Sequence, residues 1–145
     1  MDTEHVMRLA IREAQEGKKE GNLPYGAVII KEGVIISRGH NTVRSSCDPT
    51  AHAEVNTIRK AAISLGSRHL TGCTLISTCE PCPMCFSAAW WAGISRIVYG
   101  LSSPEYAHHR PNELQLTIEQ LNKMSGSEIE LSSGILKEEC LRLFQ

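Results

Sequence analysis

Apolar positions recur three and four residues apart through Val6, Leu9, Ala10 and Ala14, a spacing that predicts an amphipathic helix over residues 3–19. Asp2 or Thr3 is suited to cap its start, and the stretch from Gly17 to Gly21 marks its end. Two β-branched runs follow, at 27–31 and 34–38, around Glu32-Gly33, and predict a hairpin. A loop is expected over 39–50, closed by the turn signal Asp48-Pro49. Helical spacing returns over 51–65 and stops at Gly66. Residues 73–77 read as a third strand, 82–92 as a helix apolar on most faces ending at Gly93, and 96–99 as a fourth strand ended by Gly100. Beyond it, 102–112 is polar and predicts a long loop, 114–124 holds a helical stretch, 128–131 alternates like a fifth strand, and 134–144 reads as a closing helix. Strands alternating with helices predict an α/β fold: three layers, α/β/α, around a mixed five-stranded sheet, in one domain over residues 1–145.

Charge and composition narrow the function. The 145 residues carry 15 Lys plus Arg against 16 Asp plus Glu, a net charge of −1, which disfavours a protein that grips long stretches of phosphate backbone. No apolar run approaches the ~20 residues of a membrane span. Asp2, Glu4, Glu13 and Glu16 break up the N-terminal apolar positions, unlike a secretory signal, so a soluble cytoplasmic protein is expected. In that compartment six cysteines do not call for disulfides, and the Cys82-x-x-Cys85 pair is either a metal site or a redox motif.

Upstream residues decide between the two. His52 and Glu54 stand two apart at the start of one predicted helix, and Cys82 and Cys85 open another. Zinc takes imidazole nitrogen and thiolate sulfur, and a set of three protein ligands leaves one position open, as catalysis requires. Cys82 near a helix N-terminus is favoured as thiolate by the exposed N–H groups and the positive end of the dipole. Glu54 lies close to such a metal without binding it, where a carboxylate can take the proton of an activated water and pass it to a leaving nitrogen. A fourth protein ligand, from Cys79 or from His108 and His109, would instead make zinc a structural staple in a non-catalytic domain.

His52-x-Glu54 followed by Pro81-Cys82-x-x-Cys85 resembles the signature of zinc nucleobase deaminases. On these motifs the chain resembles the cytidine-deaminase-like superfamily, in the branch of guanine deaminase, cytosine deaminase and tRNA adenosine deaminase. The resemblance implies Zn²⁺ on His52, Cys82 and Cys85, Glu54 as proton shuttle, and Tyr25, Asn41, Ala53 and Glu80 (Glu80 and Cys82 through their backbone N–H groups) around the substrate. It also implies a homodimer, and adjacent Trp90 and Trp91, which cannot both face one interior, fit a subunit interface. Pro24-Tyr25-Gly26-Ala27-Val28 is similar to guanine deaminase, with an aromatic placed to stack on a free base. Asn22-Leu23-Pro24 and the 48–54 segment are shared with the tRNA enzymes, whose Gly-Ser-rich loop after the fourth strand is missing here. Guanine deaminases in turn carry a longer C-terminal segment than this sequence has. A small free nucleobase or nucleoside is thus the expected substrate, guanine first. Editing of adenosine to inosine in tRNA and deamination of cytosine stay as alternatives. The 102–112 loop, with Glu105, Tyr106, His108 and His109, is expected in the pocket wall, its own or a neighbour's.

Overall fold

A computed structural model describes residues 2–126 and 128–145. Helix α1 (Thr3–Lys19) starts at Asp2, whose carboxylate accepts the Glu4 N–H. Strands β1 (Gly26–Lys31) and β2 (Val34–His40) pair antiparallel around Glu32 and Gly33, at φ 49° and 74°. Two successive positive φ values match the right-handed strand twist, and glycine supplies the second without strain. A short helix α2 (Val43–Ser46), α3 (Ala53–Leu65), β3 (Cys73–Cys79), α4 (Pro83–Ala92) and β4 (Arg96–Leu101) follow. Helices α5 (Ser103–Tyr106) and α6 (Ile118–Met124), β5 (Glu130–Ser132), α7 (Lys137–Leu141) and a 3₁₀ turn (Arg142–Phe144) complete the order.

The sheet order is β2-β1-β3-β4-β5, antiparallel through the first two pairings and parallel in the last two. Alternate strand residues serve opposite layers. Val28, Ile76 and Val98 pack on α1, Cys140 and Leu143, whereas Ile29, Leu75 and Ile97 pack on α3, α4 and Ile118. The result is the three-layer α/β arrangement around a mixed five-stranded sheet that the pattern predicts. No helix among the described residues is long and apolar enough to cross a membrane.

Several boundaries move for identifiable reasons. Strand β4 runs through Gly100 instead of ending there, because the residue is a point of close approach. A Cβ at Gly100 would meet Cys140 Sγ, and it would stand 2.8 Å from the Thr78 carbonyl oxygen. Gly100→Ala is expected to cost about 1–3 kcal/mol through this overpacking, read as a lower urea midpoint at unchanged m. Only 118–124 of the 114–124 stretch is helical, since Thr117 and Gln120 form a capping box at Ile118. The closing helix is split as well: Leu136 lies at φ 52°, so the helix starts at Lys137 and ends in the 3₁₀ turn.

Candidate active site

The site forms where α3 and α4 begin. His52 and Cys82 hold the same place in their helices, extended at φ −69°, ψ 155° and φ −69°, ψ 171°, and neither caps its own helix. Their side chains are therefore available to each other. Asp48 holds the approach to His52: its Oδ1 accepts the Thr50 N–H at 2.8 Å and Oγ–H at 2.7 Å, and the His52 N–H then closes on the Thr50 carbonyl at 2.8 Å. This turn keeps residues 51 and 52 out of the helix that periodicity extends over them. On the other side, β3 runs two residues past its predicted end to Cys79 and delivers Cys82, with Pro83 in the first turn of α4.

His52 Nδ1 lies 3.5 Å from Cys82 Sγ and 3.5 Å from Cys85 Sγ, and the two sulfurs are 3.7 Å apart. Bond lengths of ~2.3 Å to sulfur and ~2.05 Å to nitrogen, at tetrahedral angles, require separations of about 3.6 Å and about 3.8 Å. Three corners of a zinc tetrahedron are thus in place. Among the described residues this is the group of His, Cys, Asp or Glu donors close enough together to hold a metal, and it includes neither Cys79 nor His108 or His109. A structural site with four protein ligands does not fit it. Hydrogen bonds from Cys85 and then His52 hold the Cys82 thiol down at about 4, whereas its thiolate neighbour and burial push the Cys85 thiol up. Glu54, in the first turn of α3, is 5% exposed and accepts the Ser77 Oγ–H at 3.0 Å. Burial raises its carboxyl above the usual range.

A cavity of about 80 Å³ lies over these groups, and it brings Tyr25, Asn41, His52, Ala53, Glu54, Glu80 and Cys82 of the sequence-derived site to one space. Asn41 is held by its N–H on the Tyr25 carbonyl at 3.1 Å and by its Oδ1, which accepts the Val43 N–H at 3.0 Å. Asn56, one turn beyond His52, donates to the His40 carbonyl at 2.9 Å and to Thr42 Oγ1 at 3.0 Å, and so ties the Asn41 strand end to the same helix. The Tyr25 phenol oxygen is buried with no hydrogen-bond partner among the described residues, a group left for a ligand to satisfy. Its ring meets Tyr106 and Phe144 edge-on, with the Arg110 guanidinium 5.9 Å above it.

The segment after β4 supplies part of the wall, as expected of the 102–112 loop, but through Tyr106 and Arg110 and through Glu113 just beyond it, not through Glu105, His108 or His109. Tyr106, Arg110 and Glu113 of the same chain line the cavity, and Arg110 Nε pairs with Glu113 Oε1 at 3.4 Å. His109 instead stacks on Phe144 at 5.1 Å, and Glu105 pairs with Lys137, which holds its carboxyl down at about 2. Cys79, a fourth-ligand candidate in the sequence, is buried in the cavity wall outside the donor group. Trp90 packs against the core and Trp91 is 78% exposed.

The family model for the cytidine and deoxycytidylate deaminase zinc-binding region matches residues 1–101. A guanine deaminase of Bacillus subtilis is 45% identical over 108 residues, 74% of this chain and 69% of its own length. A tRNA-specific adenosine deaminase of the same organism is 36% identical over 137 residues, 94% of this chain and 83% of that protein. A solved structure from work on A-to-I editing by tRNA:A34 deaminases superposes with a TM-score of 0.84 at 31% identity, covering 96% of this chain and 98% of that one.

Proposed function

Because the chain belongs to the cytidine and deoxycytidylate deaminase zinc-binding family, whose relatives here are hydrolases of C–N bonds, we propose that it removes the exocyclic amino group of a small free base, guanine first. The observation that carries this reading is Glu113. A carboxylate only accepts hydrogen bonds, and Glu113 stands in the cavity wall with Arg110 paired to its Oε1. Guanine offers N1–H and its 2-amino group as two donors on one edge. Adenine and cytosine offer a lone pair at the equivalent ring nitrogen, which a carboxylate repels.

His52, Cys82 and Cys85 would hold the zinc ion, which when bound would supply a water acidified to a pKa of roughly 7. The chain's own residues do the rest. Tyr25 Oη and Asn41 fix the ring, and Glu113 selects its edge. Glu54, steadied by Ser77, accepts the proton of the water that adds to the ring carbon and delivers it to the amino nitrogen as the C–N bond breaks and ammonia leaves. The same reading takes residues 1–145 as one domain acting as a cytoplasmic homodimer, with exposed Trp91 and Met124 in the contact.

A second reading, adenosine in tRNA, is favoured by the near full-length similarity to the tRNA enzymes. Chambers of about 310 and 460 Å³ share Cys82, Arg110 and Glu113 with the inner cavity and offer room around an inserted base. Ammonia release from guanine, adenine, cytosine, their nucleosides and an anticodon stem-loop separates the two. Release from guanine is expected, and Glu113→Gln should lower its kcat/KM about 10- to 150-fold, the worth of a charge-assisted hydrogen bond. Deamination of the stem-loop with none of free guanine overturns the reading.

A further inference from the structure

We propose that Glu80 is a positioning residue that pins the pocket-covering segment 103–118 at both of its ends. Glu80 is 4% exposed, and its carboxylate is taken up by two backbone N–H groups. Oε1 accepts the Ser103 N–H at 3.0 Å, where the segment leaves β4, and Oε2 accepts the Ile118 N–H at 3.0 Å, where it enters α6. Between these points the Tyr106 hydroxyl donates to the Glu80 carbonyl at 3.2 Å. The Glu80 N–H is spent on the Leu101 carbonyl at 2.7 Å, so it is not a free donor toward substrate. One buried residue thus closes the base of the segment that carries Arg110 and Glu113 over the cavity. Two oxygens on one carbon fix the spacing of the two ends. Because Cys82 follows two residues later, the same bend that presents a zinc ligand also sets the height of the wall above it.

The assignment of Glu113 to substrate matters only for the kinetic part of the test. Glu80→Gln keeps the shape but gives one of the two backbone donors an NH₂ to face. In the zinc-loaded protein, amides of 103–118 are expected to exchange at least tenfold faster, while amides of α1 and α3 and the zinc content stay unchanged. KM for the deaminated base should rise about tenfold, with kcat changed less than threefold. Ser103→Pro removes the donor from the other side at a helix position that tolerates proline, after Ser102 at ψ 159°. It should loosen the Ser103 end and leave the Ile118 amide protected, and it decides the matter alone should Glu80→Gln not fold. Unchanged exchange in 103–118, or acceleration spread evenly over the sheet, overturns the proposal even if guanine is deaminated. Localised acceleration supports it even if guanine is not the substrate.

Discussion

Substituting Glu54 by glutamine is expected to reduce kcat by about 10²–10⁴-fold while the protein keeps its zinc. The side chain is buried and held by Ser77 at 3.0 Å, and glutamine preserves both its volume and an acceptor for that bond. What glutamine lacks is a place for a proton in transit. Glu54 also stands outside the His52, Cys82 and Cys85 donor group, so metal content measured on the same preparation should remain at the wild-type level. The pairing of these two readouts is what gives the test its force. Lost activity with lost zinc would turn Glu54 into a ligand, and activity within tenfold of wild type would remove it from the proton path. KM is expected to change little, because the carboxylate acts on the moving proton and not on the resting base.

Local signals carried the metal half of the site. His52 and Cys82 are read from the sequence because each sits beside a helix start, and a helix start is announced by neighbours such as Asp48-Pro49 and Pro83. Periodicity likewise suffices for α1 and for the hairpin, whose contacts are short-range or repeat along one face. The substrate half is different. Arg110 and Glu113 line the cavity from a segment whose ends, Ser103 and Ile118, bond to Glu80 from 23 and 38 residues away in the chain, and no local pattern encodes those contacts. Strand ends slipped for a related reason. Gly100 looks like a terminator until Thr78 and Cys140 are seen pressed against it, and β3 extends to Cys79 because Leu101 is there to pair with it.

Removing zinc with a chelator is expected to abolish deamination and to lower the melting temperature by about 8–16 °C, both reversed by adding back one zinc per chain. The size follows from linkage: an ion present at ~1,000 times its dissociation constant stabilises the folded state by about 4 kcal/mol, and a domain of this length shifts by roughly 2–4 °C per kcal/mol. The structural reason is the convergence of one imidazole nitrogen and two sulfurs at 3.5–3.7 Å, on side chains that cap neither helix. Without a cation such a cluster holds buried donors together with little return, so the starts of α3 and α4 should loosen first. Calorimetry with and without metal, beside ammonia release, measures both effects on one sample. Cys85→Ser is expected to behave like the stripped protein, and exposed Cys47→Ser like the loaded one. If the stripped chain kept its activity, the acidified water could not come from this centre and the deaminase chemistry assigned to it would fail. If it lost activity but kept its melting temperature, zinc would serve the reaction without bracing the two helix starts.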